Sequence, residues 1–171
     1  KRTLPEARLR LVGRHSDGTL QLSGQDIDGL GFVADVDQEI ASWSAMIVPI
    51  QLGAGTRGKI AHAFSLKCPV ISTSLGAYGY EAQNGREMML ADSPEDFANA
   101  CIKAVRDAAE ADAMAERAWV QFLEKWTWDS IRPRIWDAAQ DCLRLSGRVL
   151  TKLTEVKKIN STNSPAQWQR I

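Results

Sequence analysis

Residues 53–59, Gly-Ala-Gly-Thr-Arg-Gly-Lys, gather the residue types that suit a phosphate. Gly53 and Gly55 can take φ > 0 and let a ligand approach the backbone closely. A helix starting just after them exposes unpaired N–H groups and a partial positive charge, which favour an anion. Thr56 is a candidate cap for that helix. Arg57 and Lys59 fall in its first turn, where the dipole disfavours cations by a few tenths of a kcal/mol unless an anion offsets it. The chemistry implied is the binding and neutralisation of a phosphate or diphosphate. The turn is not a P-loop, because GxxxxGK[ST] is absent. A solvated glycine-rich turn with surface cations is the plain alternative.

The elements needed to position this turn are legible on both sides of it. An apolar run at 46–50 predicts a strand before it, and Pro69 opens a second at 70–74 after the helix. Strand, turn, helix and strand make a βαβ unit with parallel strands. Ligands of open α/β sheets bind outside the carboxyl ends of such strands. Upstream, 8–12 and 27–33 predict two short strands, while 19–25 are ambiguous. Asp35 starts a helix to about 44, with Val36, Ile40 and Trp43 at helical spacing. Residues 1–5 look like the tail of a helix.

Downstream, a loop at 75–86 holds Gly76, Gly79, Gly85 and the acid Glu81, and a strand follows at 88–90. Ser93 as N-cap, Pro94 at the first position and the acids Glu95 and Asp96 predict a helix start. Its expected buried stripe is Phe97, Cys101, Ala104, Val105 and Ala108. A second helix is predicted over 112–125, with Met114, Ala118 and Phe122 facing inward. Thr127 caps a third, with Ile131, Ile135, Ala138, Cys142 and Leu145 at helical spacing. Pro133 falls where it could kink that helix, and Ser146-Gly147 ends it. Alternating strands and helices indicate an α/β fold with a parallel sheet. The expected division is one domain over 1–147 and a tail over 148–171, basic and polar, disordered or docked on another domain.

Composition narrows the partners. With 21 basic and 21 acidic residues the formal net charge is zero, so no nucleic-acid footprint is expected. No apolar run is long enough to span a bilayer. Cys68, Cys101 and Cys142 are widely spaced among apolar neighbours and read as buried thiols of a reducing cytoplasm. The two histidines, His15 and His62, are too few for a histidine-based metal site. The location expected is the cytoplasm, with peripheral membrane association left open. The opening KRTLPEARLRLVG begins as though within a domain, so the chain is read as a piece of a longer protein. Four tryptophans, Trp119, Trp126, Trp128 and Trp136, crowd the C-terminal helices and read as packing residues.

Several motifs in order resemble one family. Gly31-Phe32-Val33-x-Asp35 resembles the G-F-V-x-D segment of GT-B glycosyltransferases of the glycosyl transferases group 1 type. Pro49-x-x-x-Gly53-Ala54-Gly55-Thr56-Arg57-x-Lys59-Ile60 is similar to their P-x-x-x-G-A-G-T-R-x-K-[IL] turn. Pro69-Val70-Ile71-Ser72-Thr73, then Gly76-Ala77-x-Gly79, is similar to their P-V-[VI]-S-T-x-x-G-A-x-G stretch. The resemblance runs over about 8–145 and implies a Rossmann-like parallel sheet sandwiched by helices. That would be the C-terminal half of a GT-B architecture, lacking its first strand and helix. It also implies a nucleotide-diphosphate sugar as donor substrate, an unknown acceptor, a missing N-terminal domain, and no cofactor or metal. By resemblance Arg57 and Lys59 neutralise the leaving diphosphate as catalytic residues. Gly53, Ala54, Gly55, Thr56 and His62 bind donor, while Gly13, Arg14, Phe32 and Val33 face the nucleotide base.

Two positions depart from the pattern. Many members carry glutamates eight apart, where this chain has Ala54 and His62. Alanine accompanies the G-A-G-T-R variant. A neutral imidazole cannot accept two ribose hydroxyls as a carboxylate can, so the ribose is held differently, the donor differs or binding is weak. A surface or capping histidine is the plain alternative. Three functions follow: a glycosyltransferase fragment inactive alone, a non-catalytic nucleotide-sugar-binding module, or an epimerase of the same architecture.

Overall fold

A computed structural model describes residues 3–18 and 26–145. The chain runs β1 (Leu9–Val12), a 3₁₀ turn (Ser16–Gly18), β2 (Ile27–Gly31), α1 (Val36–Ala41), β3 (Met46–Val48), α2 (Gly58–Ser65) and β4 (Val70–Ser72). It continues through β5 (Met89–Leu90), α3 (Pro94–Arg106), α4 (Ala108–Lys125) and α5 (Trp128–Leu145). Two compact units divide it, Lys1–Trp126 and Thr127–Ile171. The expected tail at 148–171, the stop at Ser146-Gly147 and the ambiguous stretch 19–25 lie outside the described residues.

All strand pairs among the described residues of the first unit are parallel. They form two sheets, β1-β2 and β3-β4-β5, where the alternation implies one. Met46 N–H donates to Pro69 O, and Val48 O accepts from Thr73 N–H. Those two residues therefore bond toward β4, and Ile47 between them turns its backbone groups to the opposite edge. No described strand pairs there.

Alternate residues of β4 point to opposite faces. Val70 joins a cluster with Met46, Val48, Ile60, Phe64, Met88 and Ala118. Ile71 joins a second with Met89, Ala104 and Met114. Helices α2 and α4 thus cover one face while α3 lines the other, and α4 reaches both. Phe64 is fully buried, which stabilises the fold by about 2–3 kcal/mol. Its neighbours Ile60 and Ala63 share that face at the spacing of an amphipathic helix.

Three helices of this unit start on side-chain caps. Asp35 accepts from Gln38 N–H at 2.9 Å, and Asp107 from Glu110 N–H at 3.3 Å. Ser93 accepts from Asp96 N–H at 3.0 Å and donates to that residue's carboxylate at 2.6 Å, with Pro94 opening α3 as expected.

Several expectations are corrected. Residues 3–6 form a bend and a turn rather than a helix tail, closed by Ala7 N–H on Leu4 O at 3.2 Å. Asp107 ends α3 and caps α4, so α4 starts at Ala108, earlier than predicted, and Ala108 leaves the α3 stripe. Val105, 43% exposed, leaves it too, because Ala104 faces the core beside it. Within the second unit α5 continues through Pro133, and Ile135, Ala138 and Cys142 are exposed. Only Cys68 is fully buried, and burial pushes its thiol up to about 11.

Candidate functional site

The 53–59 turn leaves the carboxyl end of β3. Residues 51–56 are all exposed. Gly53 and Gly55 hold φ of 127° and 88°, left-handed values that side chains resist. Arg57 is the N-cap of α2 rather than a first-turn residue, and no side chain caps the helix. Thr56 therefore does not cap it, contrary to expectation. The first turn holds no acid.

Arg57 folds back on its own loop. Its Nη1 donates to Ala54 O at 2.7 Å and to Gly55 O at 2.6 Å. Its Nε is buried without a partner. Lys59 is exposed, and its side chain makes no hydrogen bond or ion pair among the described residues. One cation is thus held against the turn, and the other is free in solvent.

The loop after β4 supports the turn from behind. Thr73 Oγ1 donates to Ile50 O at 2.5 Å and accepts from Gly76 N–H at 2.9 Å. A Cβ at Gly76 would stand 2.5 Å from Ser72 Oγ and 2.9 Å from Val48 O, so only glycine fits without rearrangement. Tyr80, from the same loop, places its hydroxyl on Arg57 O and Ala61 N–H. Sequence reading missed Tyr80. Its one signal was an aromatic residue within a glycine-rich loop, and that does not say where the hydroxyl goes.

His62 lies in α2 with Nε2 at 2.6 Å from Asp37 Oδ1 of α1. Helix α1 also meets β1, where Arg10 pairs with Glu39 at 2.9 Å. Gly13 and the exposed Arg14 follow β1, and Phe32, 81% exposed, and Val33 follow β2. No hydrogen bond or ion pair among the described residues links these four to the 53–59 turn. The structure therefore assembles Gly53, Ala54, Gly55 and Arg57 into one loop, and leaves Gly13, Arg14, Phe32 and Val33 on separate ones. Glu81 pairs with Lys125 of α4. No group of three metal-ligating side chains occurs among the described residues, and no described helix is long and apolar enough to cross a membrane.

Comparison with known proteins bears on this geometry. Three solved structures of Anabaena Alr3699/HepE match the fold. The complex with UDP-glucose has TM-score 0.66 at 19% identity, over 80% of this chain and 42% of that one. The complex with UDP and glucose has TM-score 0.68 at 18% identity, over 80% and 41%. The complex with UDP has TM-score 0.69 at 19% identity, over 80% and 42%. The present chain therefore spans less than half the length of these neighbours, and the likeness shows a GT-B α/β fold. A search of curated proteins gave no match. The family described as glycosyl transferases group 1 matches residues 1–107. This chain belongs to the group 1 glycosyl transferases.

Proposed function

We propose that this chain is the donor-binding part of a glycosyltransferase, and that its 53–59 turn receives the diphosphate of a nucleotide-sugar. What carries the proposal is the start of α2. Helices α1, α3 and α4 each begin with a capping side chain and an acidic first turn, whereas α2 has neither and carries Arg57 and Lys59. An uncapped helix end beside two cations and two left-handed glycines is short of negative charge. Family membership and the UDP bound by the structural neighbours support the same ligand class.

In the reaction, an acceptor hydroxyl attacks the anomeric carbon and loses its proton to solvent as the bond from that carbon to the diphosphate oxygen breaks. Negative charge then grows on the departing diphosphate. Arg57, Lys59 and the N–H groups of α2 neutralise it, which is electrostatic stabilisation of the leaving group. Thr56 and Ala54 shape the loop around it. The acceptor side and a further N-terminal domain belong to this proposal, as does a cytoplasmic location. The test is calorimetric titration of UDP and of GDP into the full-length protein. Affinity for either should drop in the Arg57→Ala, Lys59→Ala double variant, and unchanged affinity would remove the role of the turn.

A second reading, a binding module without transfer activity, is favoured by one observation. His62 is committed to Asp37 at 2.6 Å rather than free for a ribose. Glutamate at 62 would face that carboxylate, so the informative variant combines His62→Glu with Asp37→Asn. A gain in UDP affinity supports a decayed donor site, and a loss means the imidazole is used.

A further inference from the structure

The Tyr80 hydroxyl occupies an unusual place. It donates to Arg57 O at 2.8 Å and accepts from Ala61 N–H at 3.2 Å. A regular α-helix would join those two groups directly, residue 61 to residue 57. Here Ile60 N–H takes Arg57 O at 2.8 Å, one residue early, and the phenol stands in the gap. Two donors thus fix the Arg57 carbonyl, and with it the peptide plane whose other end is the Gly58 N–H. Rotation of that plane would swing both the Arg57 side chain and the start of α2.

The ring is held as firmly as the hydroxyl. Tyr80 is 7% exposed, with Trp126 at 4.7 Å between ring centroids and Phe64 edge-on at 6.0 Å. Burial raises its pKa against the opposing pull of the Ala61 N–H, so it stays a neutral donor near pH 7. No hydrogen bond among the described residues joins Tyr80 to the 53–56 segment. Its leverage on the turn runs through the Arg57 backbone.

We propose that Tyr80 is a positioning residue for the diphosphate: its hydroxyl sets the orientation of Arg57 and the opening of α2. The proposal rests on the donor-site reading above and predicts a defect confined to the second phosphate. Removing the hydroxyl lets Ala61 N–H close onto Arg57 O, which tightens the turn without emptying the core.

The test titrates UDP and UMP into full-length wild type, Tyr80→Phe and Arg57→Ala by calorimetry, with thermal unfolding followed in parallel. Tyr80→Phe should lower UDP affinity about tenfold while UMP affinity stays the same, so the UDP-to-UMP ratio falls. If both affinities hold, or both fall together with the melting temperature, Tyr80 is structural only and the proposal is overturned. Should Tyr80→Phe be too unstable to titrate, 4-fluorophenylalanine at position 80, close in size to tyrosine but with no O–H to donate, must still lower the ratio. Undiminished UDP affinity in Arg57→Ala would overturn the donor site itself, separately from Tyr80.

Discussion

Helix α2 follows β3 and α3 follows β5, the two outer strands of one parallel sheet, but the helices begin in opposite ways. At α3 the chain satisfies itself: Ser93 and Asp96 bond reciprocally, and Glu95 and Asp96 meet the helix dipole. At α2 it does not, for Arg57 turns to the carbonyls of its own loop and Lys59 points to solvent. The difference separates two uses of one geometry. A helix start that is closed by its own side chains contributes to stability, whereas one left open with cations gives up a little stability and, in the proposed reading, gains an anion site.

The contrast can be broken most forcefully at α2. The Arg57→Ala, Lys59→Ala variant should lose affinity for UDP by on the order of 100-fold, since two charge-assisted bonds go. Its melting temperature should stay near that of wild type, because both residues lie outside the core. A large loss of stability with intact affinity would invert the comparison.

The matching change at α3 is Ser93→Ala. It should cost about 1 kcal/mol in urea unfolding, as loss of an N-cap does, and leave UDP affinity unchanged. Conversely, Lys59→Glu makes the start of α2 resemble that of α3. It should raise stability by about 0.3–1 kcal/mol at low salt, while UDP binding weakens.

The smallest effect concerns Asp92, just before the α3 cap. It accepts from the Ser74 hydroxyl at 2.6 Å and from Ser74 N–H at 2.7 Å, which together hold its carboxyl below the usual range. A lowered folded value means that its contribution is present above the unfolded value of about 3.9. It is lost as pH falls through the folded value. Asp92→Asn should therefore flatten the acid limb of a stability–pH curve below about pH 4, with a small loss of stability at pH 7 that shrinks as the pH falls.

Much of this architecture can be read from residue order. The strand, glycine turn, helix and strand around residue 53 follow from periodicity and from Gly53 and Gly55. The caps at Asp35 and Ser93 follow from local side-chain chemistry. Helix boundaries were less legible where two signals competed. Thr56 is the better capping residue, yet the helix starts after Arg57, whose guanidinium holds the loop carbonyls instead. The exposed Val105, Ile135 and Cys142 show where apolar spacing alone overstates burial. The pairing of His62 with Asp37 and the seat of Tyr80 depend on contacts between residues far apart in the chain, which no local pattern encodes. The division into two sheets likewise depends on which strand edges meet, and strand spacing does not specify that.

The guanidinium that grips Ala54 O and Gly55 O has a consequence for how ligand affinity is to be understood. In the proposed donor site, arrival of a diphosphate at Arg57 is an exchange, in which two carbonyl partners are surrendered as phosphate oxygens are gained. Net affinity then reflects the difference between two sets of hydrogen bonds. The loop also enters the encounter already folded, so little of the binding energy goes into ordering it.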